Sequence, residues 1–187
     1  MNKVLSLVCA ATLMVAGLAQ AEDVKSGLKE GAGIGPFYVT KCAGAEKDGV
    51  EVGKNLCYRC KNGARPQVMV FTRSGSDKVV KLVKELDGQL AAHEDAQLRA
   101  FVNVLGESKD AAMDEAKKLA AASKASQVPF VVPNEFENGP EDYGINPKAE
   151  LTILIANESK VVSNVAVASI KDLDIDSVLA QVKKVVE

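Results

Sequence analysis

The chain has no tryptophan, three tyrosines and five phenylalanines among its 187 residues. That shortage argues against the aromatic platforms on which bases and sugars stack. It has a single histidine, His93, which leaves no Ser-His-Asp arrangement to assemble. Charge of one sign is also missing: 23 basic and 25 acidic residues leave a formal charge of −2. The two signs are interspersed along the chain, as on a solvated mixed surface, and give no electrostatic footprint for nucleic acid. Beyond the first twenty residues no apolar run is long enough to cross a bilayer.

The exception lies at the start. Met1-Asn2-Lys3 is a short basic opening, followed by the apolar run from Val4 to Leu18 and the small-residue site Ala19-Gln20-Ala21. That order predicts an export signal over residues 1–21, cut after Ala21. Cys9 lies inside the apolar run and is expected to leave with it. Loss of the one lysine, Lys3, then takes the formal charge from −2 to −3. The protein is expected in the periplasm or outside the cell. Residues 22–34, with Gly27, Gly31 and Gly33, read as a flexible leader, and 35–187 as one domain.

Hydrophobic spacing sets out that domain. Phe37 to Thr40 and Val50 to Val52 have strand composition around a turn-rich connector, which predicts an N-terminal β-hairpin. Asn55 is a candidate cap and Gly63 a candidate left-handed end for about one helical turn between them. Val68 to Phe71, Leu98 to Leu105 and Val128 to Val132 are short apolar runs of the kind that form buried strands. Asp77 to Leu90 and Asp110 to Ser123 repeat apolar residues at helical spacing. Leu151 to Ala156 and Val161 to Val167 flank a turn and predict a late hairpin, followed by a helix from about Ile175 to Val186. The order predicts an α/β domain: a mixed sheet with helices on both faces.

Three cysteines remain after the signal: Cys42, Cys57 and Cys60. In an oxidising compartment one thiol is left over after any single bridge, and spacing alone allows all three pairings. Cys57-Tyr58-Arg59-Cys60 is a Cys-x-x-Cys pair. On one helical turn both sulfurs share a face, so a bond between them can form and reopen with little backbone movement. Arg59, Lys61 and Arg65 favour the thiolate, which is the attacking species in exchange. In this redox reading Cys57, nearer the helix start, is the better attacker, Cys42 is a candidate resolving thiol, and a redox partner protein is implied. The structural alternative is a permanent bridge, with Cys42 as one of its possible ends. A third reading, metal or haem, finds little support. Zinc would need His93 as a fourth ligand, and Lys61 stands where haem attachment wants histidine. No metal or cofactor is assigned.

The element order, read with the local residues, resembles the thioredoxin fold, and more closely its peroxiredoxin-like (AhpC/TSA) branch. Gly35-Pro36-Phe37-Tyr38-Val39 is similar to the branch's opening strand, and Arg65-Pro66-Gln67-Val68-Met69-Val70-Phe71 to its first central strand. Val128-Pro129-Phe130 with Tyr143-Gly144-Ile145 is similar to the stretch before its late hairpin. The chain also resembles a group of exported thioredoxin-like proteins that carry Leu-Cys-Tyr-x-Cys before that strand, here Leu56 to Cys60. The resemblance implies the fold and not the family's active site. Thr72-Arg73-Ser74-Gly75-Ser76-Asp77, where thioredoxins carry Cys-x-x-Cys and peroxiredoxins their peroxidatic cysteine, holds no cysteine and no proline. Peroxidase chemistry is therefore not expected. Pro147-Lys148-Ala149-Glu150 likewise lacks a proline where thioredoxins place a cis-proline.

Two further features have simple readings. Arg73, Ser74 and Ser76 could hold a small anion at a helix start, against the plainer reading of a capped helix beside an exposed arginine. Glu135, Glu137, Glu141 and Asp142 form an acidic loop whose spacing matches no calcium loop.

Overall fold

The computed structural model describes residues 24–187. The segment expected to be an export signal, with Cys9, lies outside the described residues. Among those residues no helix is long and apolar enough to cross a membrane.

A seven-stranded mixed sheet runs through the described residues in the order β2-β1-β5-β4-β3-β6-β7. Beside its middle strand lies β3 (Gln67–Thr72), buried along its whole length. β3 lies parallel to β4 (Arg99–Val104) and antiparallel to β6 (Leu151–Asn157). β4 is in turn parallel to β5 (Phe130–Pro133), and β6 forms the expected hairpin with β7 (Lys160–Val167). The near-continuous apolar runs of the central strands are explained by this position, since a strand covered on both faces has no polar side to show.

Side chains alternate between the two faces. Val68 and Val70 of β3 join one core with the three long helices: α2 (Asp77–Ala92), α3 (Lys109–Ser123) and α4 (Ile175–Lys183). Met69 and Phe71 join a second core with Phe101, Val131 and Leu154. That second core is closed by Ile34, Phe37, Tyr143 and Ile145, and by Tyr58 of the short helix α1 (Tyr58–Asn62). Helices therefore lie on both faces, but very unevenly.

Residues 24–34, expected as a flexible leader, are tied to the domain. Gly31 donates its N–H to Val161 O, Val161 to Ala32 O, and Ile34 to Ser159 O. Asn164 donates to the carbonyls of Ser26 and Leu28. The buried Ser26 meets Thr152 at 2.6 Å. Glycine spacing suggested freedom, whereas these residues run beside an edge strand with unpaired backbone groups to satisfy.

The N-terminal hairpin is present, but its second strand is not Val50-Glu51-Val52. β1 (Val39–Ala43) pairs antiparallel with β2 (Asn55–Leu56), and also with β5. The cause is Lys41. Its side chain is 1 % exposed, and its ammonium donates to Ala45 O, Val50 O and Asp48 Oδ1 at 2.8–2.9 Å. These bonds draw residues 45–50 into a loop around the buried charge, so the second strand forms further along.

Candidate functional site

Immediately after β2, Cys57 is the N-cap of α1. Asn55, the cap expected from sequence, instead sits in β2 and donates its amide to Thr40 Oγ1 and Asn134 Oδ1. Gly63 ends the turn, though with φ 65° and ψ −137° rather than in the left-handed helical conformation expected; this backbone suits a residue without a Cβ, and its N–H reaches the carbonyls of Arg59 and Cys60.

Cys57 and Cys60 form a disulfide, with their Cα atoms 5.2 Å apart. The two halves differ in environment. Cys57 is 8 % exposed, whereas Cys60 is exposed. The backbone N–H of Cys60 donates to the Cys57 sulfur at 3.0 Å. A hydrogen bond to a sulfur is worth most when that sulfur is anionic. The arrangement therefore offers a reachable sulfur at Cys60 and a place for negative charge at Cys57. Cys57, expected from sequence as the better attacker, is the buried half of the pair.

Tyr58 fixes the turn to the domain. Its ring stacks on Phe101, with centroids 5.8 Å apart, and its hydroxyl donates to Asp48 Oδ2 at 2.6 Å. Asp48 Oδ1 is held in turn by Lys41 and by the N–H of Val50. Lys41, Asp48 and Tyr58 are thus one polar network that anchors the disulfide-bearing turn to β1 and its following loop. Burial, reinforced by the bond to Asp48, pushes the Tyr58 hydroxyl well above the usual phenol range. Sequence reading missed this network. Lys41 gave one faint signal, a charged residue within a strand pattern, and nothing in the sequence tied it to Asp48.

Cys42 lies elsewhere. It is buried on β1 and belongs to the core beneath the long helices, whereas Tyr58 belongs to the core on the opposite face. Among the described residues it is the cysteine outside the disulfide. Its thiol donates to Thr40 O at 3.4 Å, and burial raises its pKa despite the nearby Lys117 and Lys109. The sheet separates it from the core that holds Tyr58 of the disulfide-bearing turn, so a resolving role is not supported by its place. It was assigned from its position at the end of a strand, and the side on which a strand residue points could not be known without the register.

In the loop after β3, the arginine weighed from sequence for an anion site has partners within the chain. Arg73 donates to Glu137 O and Asn138 Oδ1, so it clamps the acidic loop. Ser76 precedes α2 without a side-chain capping bond. His93 ends α2. Among the described residues no group of three or more His, Cys, Asp or Glu side chains is placed to hold a metal ion.

No protein-family model matches the chain, and no curated protein sequence matches it. Solved structures do. The thioredoxin domain of a thiol-disulfide oxidoreductase from Bacteroides vulgatus is similar at a TM-score of 0.63 and 16% identity, over 86% of this chain and 99% of that one. A thiol:disulfide interchange protein from Bacteroides sp. is similar at 0.59 and 16%, over 85% and 91%. AhpC from Mycobacterium tuberculosis is similar at 0.60 and 12%, over 83% and 92%. The chain therefore has a thioredoxin-like fold.

Proposed function

We propose that this is an exported thiol–disulfide exchange protein in which Cys57 and Cys60 are the redox pair and Cys60 is the sulfur that a partner attacks. The observation that carries the reading is the unequal disulfide, with Cys60 exposed, Cys57 buried, and the Cys60 N–H on the Cys57 sulfur. Export rests on the opening sequence alone. Similarity in fold to thiol–disulfide interchange proteins supports the class of chemistry.

A thiolate of the partner attacks the Cys60 sulfur. The Cys57–Cys60 bond breaks, a bond between the partner's sulfur and Cys60 forms, and the electron pair leaves on Cys57 as thiolate. A second thiolate of the partner then attacks the partner's own sulfur in this mixed disulfide. Cys60 departs with its electron pair and takes up a proton, as does Cys57 in its turn. The partner's dithiol has become a disulfide, and two electrons have moved to the pair. The reverse sequence reduces a partner disulfide. Cys42 takes no part.

A second reading has its own support. Cys57 is buried and Tyr58 is pinned to Phe101 and Asp48, features that suit a permanent staple. The two readings part at the midpoint potential, measured by equilibrating the protein in glutathione buffers and trapping free thiols by alkylation. A value above about −300 mV supports exchange, while one below it supports the staple.

A further inference from the structure

α1 forms one wall of a cleft of about 810 Å³, within the range of small-ligand sites. Tyr58, Lys61 and Asn62 of α1 line it, and Arg65, Arg99 and Lys47 extend it. Lys61 directly follows the exposed Cys60.

The charge of this cleft runs against that of the chain. The whole protein carries −2, yet Lys47, Lys61, Arg65 and Arg99 converge on one cavity. Glu46 and Asp48 are the acids in its lining, and Asp48 is matched by buried Lys41. Among the described residues none of the four cations has a carboxylate within 4.0 Å. Two are held at their posts by neutral acceptors. Arg65 donates to Gln97 Oε1 at 2.9 Å and Arg99 to Leu98 O at 3.0 Å. Four cations gathered on a concave wall without anionic partners repel one another, and an anionic ligand would relieve that cost. Neutral amide and carbonyl oxygens such as these cannot neutralise the cations.

We infer that this cleft binds an acidic peptide segment, and that the segment belongs to the exchange partner whose sulfur meets Cys60. The inference rests on the exchange reading for its purpose, but the binding can be measured without any sulfur chemistry. At about 810 Å³ the cleft has room for a short peptide, and its cations lie on α1, the loop after it, β4 and the loop after β1. Such a spread suits an extended chain with several carboxylates better than a single small anion.

The test uses the oxidised protein and a fluorescent glutamate-rich peptide with serine in place of cysteine, read by anisotropy. A lysine-rich peptide of equal length is the control. The acidic peptide is expected to bind, to bind more weakly as salt rises, and to lose roughly fivefold in affinity in the Lys61→Ser/Arg65→Ser protein. Lys84→Ser, on α2 and outside the cleft, should change nothing. Should the double variant fold poorly, Lys61→Glu alone must show the same loss. Equal binding of both peptides, or full affinity in these variants, overturns the inference. Restoring cysteine to the acidic peptide should then give faster exchange than an uncharged cysteine peptide, with the advantage lost in the double variant. An equal rate for the two overturns the link to exchange while leaving the binding result to judge the cleft. A bond that resists dithiothreitol overturns the exchange reading instead.

Discussion

The backbone N–H of Cys60 points at the sulfur of Cys57, 3.0 Å away, within the turn that their disulfide closes. Breaking the bond at Cys60 therefore leaves charge on the sulfur that already has a donor. With a partner in its disulfide form, the Cys60 thiolate of the Cys57→Ser protein is expected to attack one partner sulfur, displace the other as thiolate and accumulate as a mixed disulfide. The Cys60→Ser protein should form one at least about tenfold more slowly, because its remaining sulfur is buried although better ionised. Mass spectrometry of the quenched mixtures reads both rates. Faster capture by Cys57 would invert the proposed polarity.

Asp48 joins three donors: Lys41, Tyr58 and the Val50 N–H. Removing one partner of a buried ion pair strands the other, and the cost far exceeds what an exposed pair contributes. Asp48→Ala is expected to lower the unfolding free energy by about 3–5 kcal/mol. Tyr58→Phe leaves the ring on Phe101 and removes one charge-assisted bond, for about 1–3 kcal/mol. Urea unfolding followed by circular dichroism measures both. A cost below about 1 kcal/mol for Asp48→Ala would show that the network does not anchor the turn.

Much of the fold was legible because each central strand carries its burial in its composition. Val68 to Phe71 could hardly face water on either side, and the helical spacing of Val79, Leu82, Val83 and Leu86 marks the buried stripe of α2. The hairpin partner of β1 was misplaced because strand propensity at Val50 to Val52 is local, whereas the loop that replaced it is organised by a buried ammonium. The pairing of Cys57 with Cys60 was one of three arithmetically allowed. Which of the two is exposed depends on how α1 docks, and that is set by Tyr58 with Asp48 and with Phe101, the latter distant in sequence.

Three buried acids shape the response to alkali. Burial raises the pKa of Cys42, of Tyr58 and of Tyr143, with Asp48 adding to the rise at Tyr58 and Arg59 opposing it at Tyr143. All three are neutral while protonated. In the unfolded chain they release protons at about pH 8.5–10, while the folded chain keeps them. Above that range the unfolded state binds fewer protons, so the unfolding free energy falls as pH rises. Their contribution is present in full below about pH 8 and is lost progressively above it. The urea midpoint is expected to decline steadily from about pH 9 upward. Phenolate absorbance from Tyr58 and Tyr143 should appear only with unfolding. Ionisation of these two near pH 10 in folded protein would contradict their environments.

Cys42 provides the sharpest separation between packing and chemistry. Its thiol is 3 % exposed, in the core beneath the long helices, and an attacking disulfide cannot reach it without opening β1. In the reduced native protein, iodoacetamide is expected to modify Cys60 first. Cys42 should react only as the chain unfolds, its rate rising in step with urea. Cys42→Ala should leave the rate of exchange with a dithiol partner unchanged while lowering stability by about 1 kcal/mol, the loss expected from trimming one buried group in a tight core. If the substitution instead slowed release of a mixed disulfide from Cys60, Cys42 would be the resolving thiol after all. The sheet would then have to open during turnover to bring the two sulfurs together.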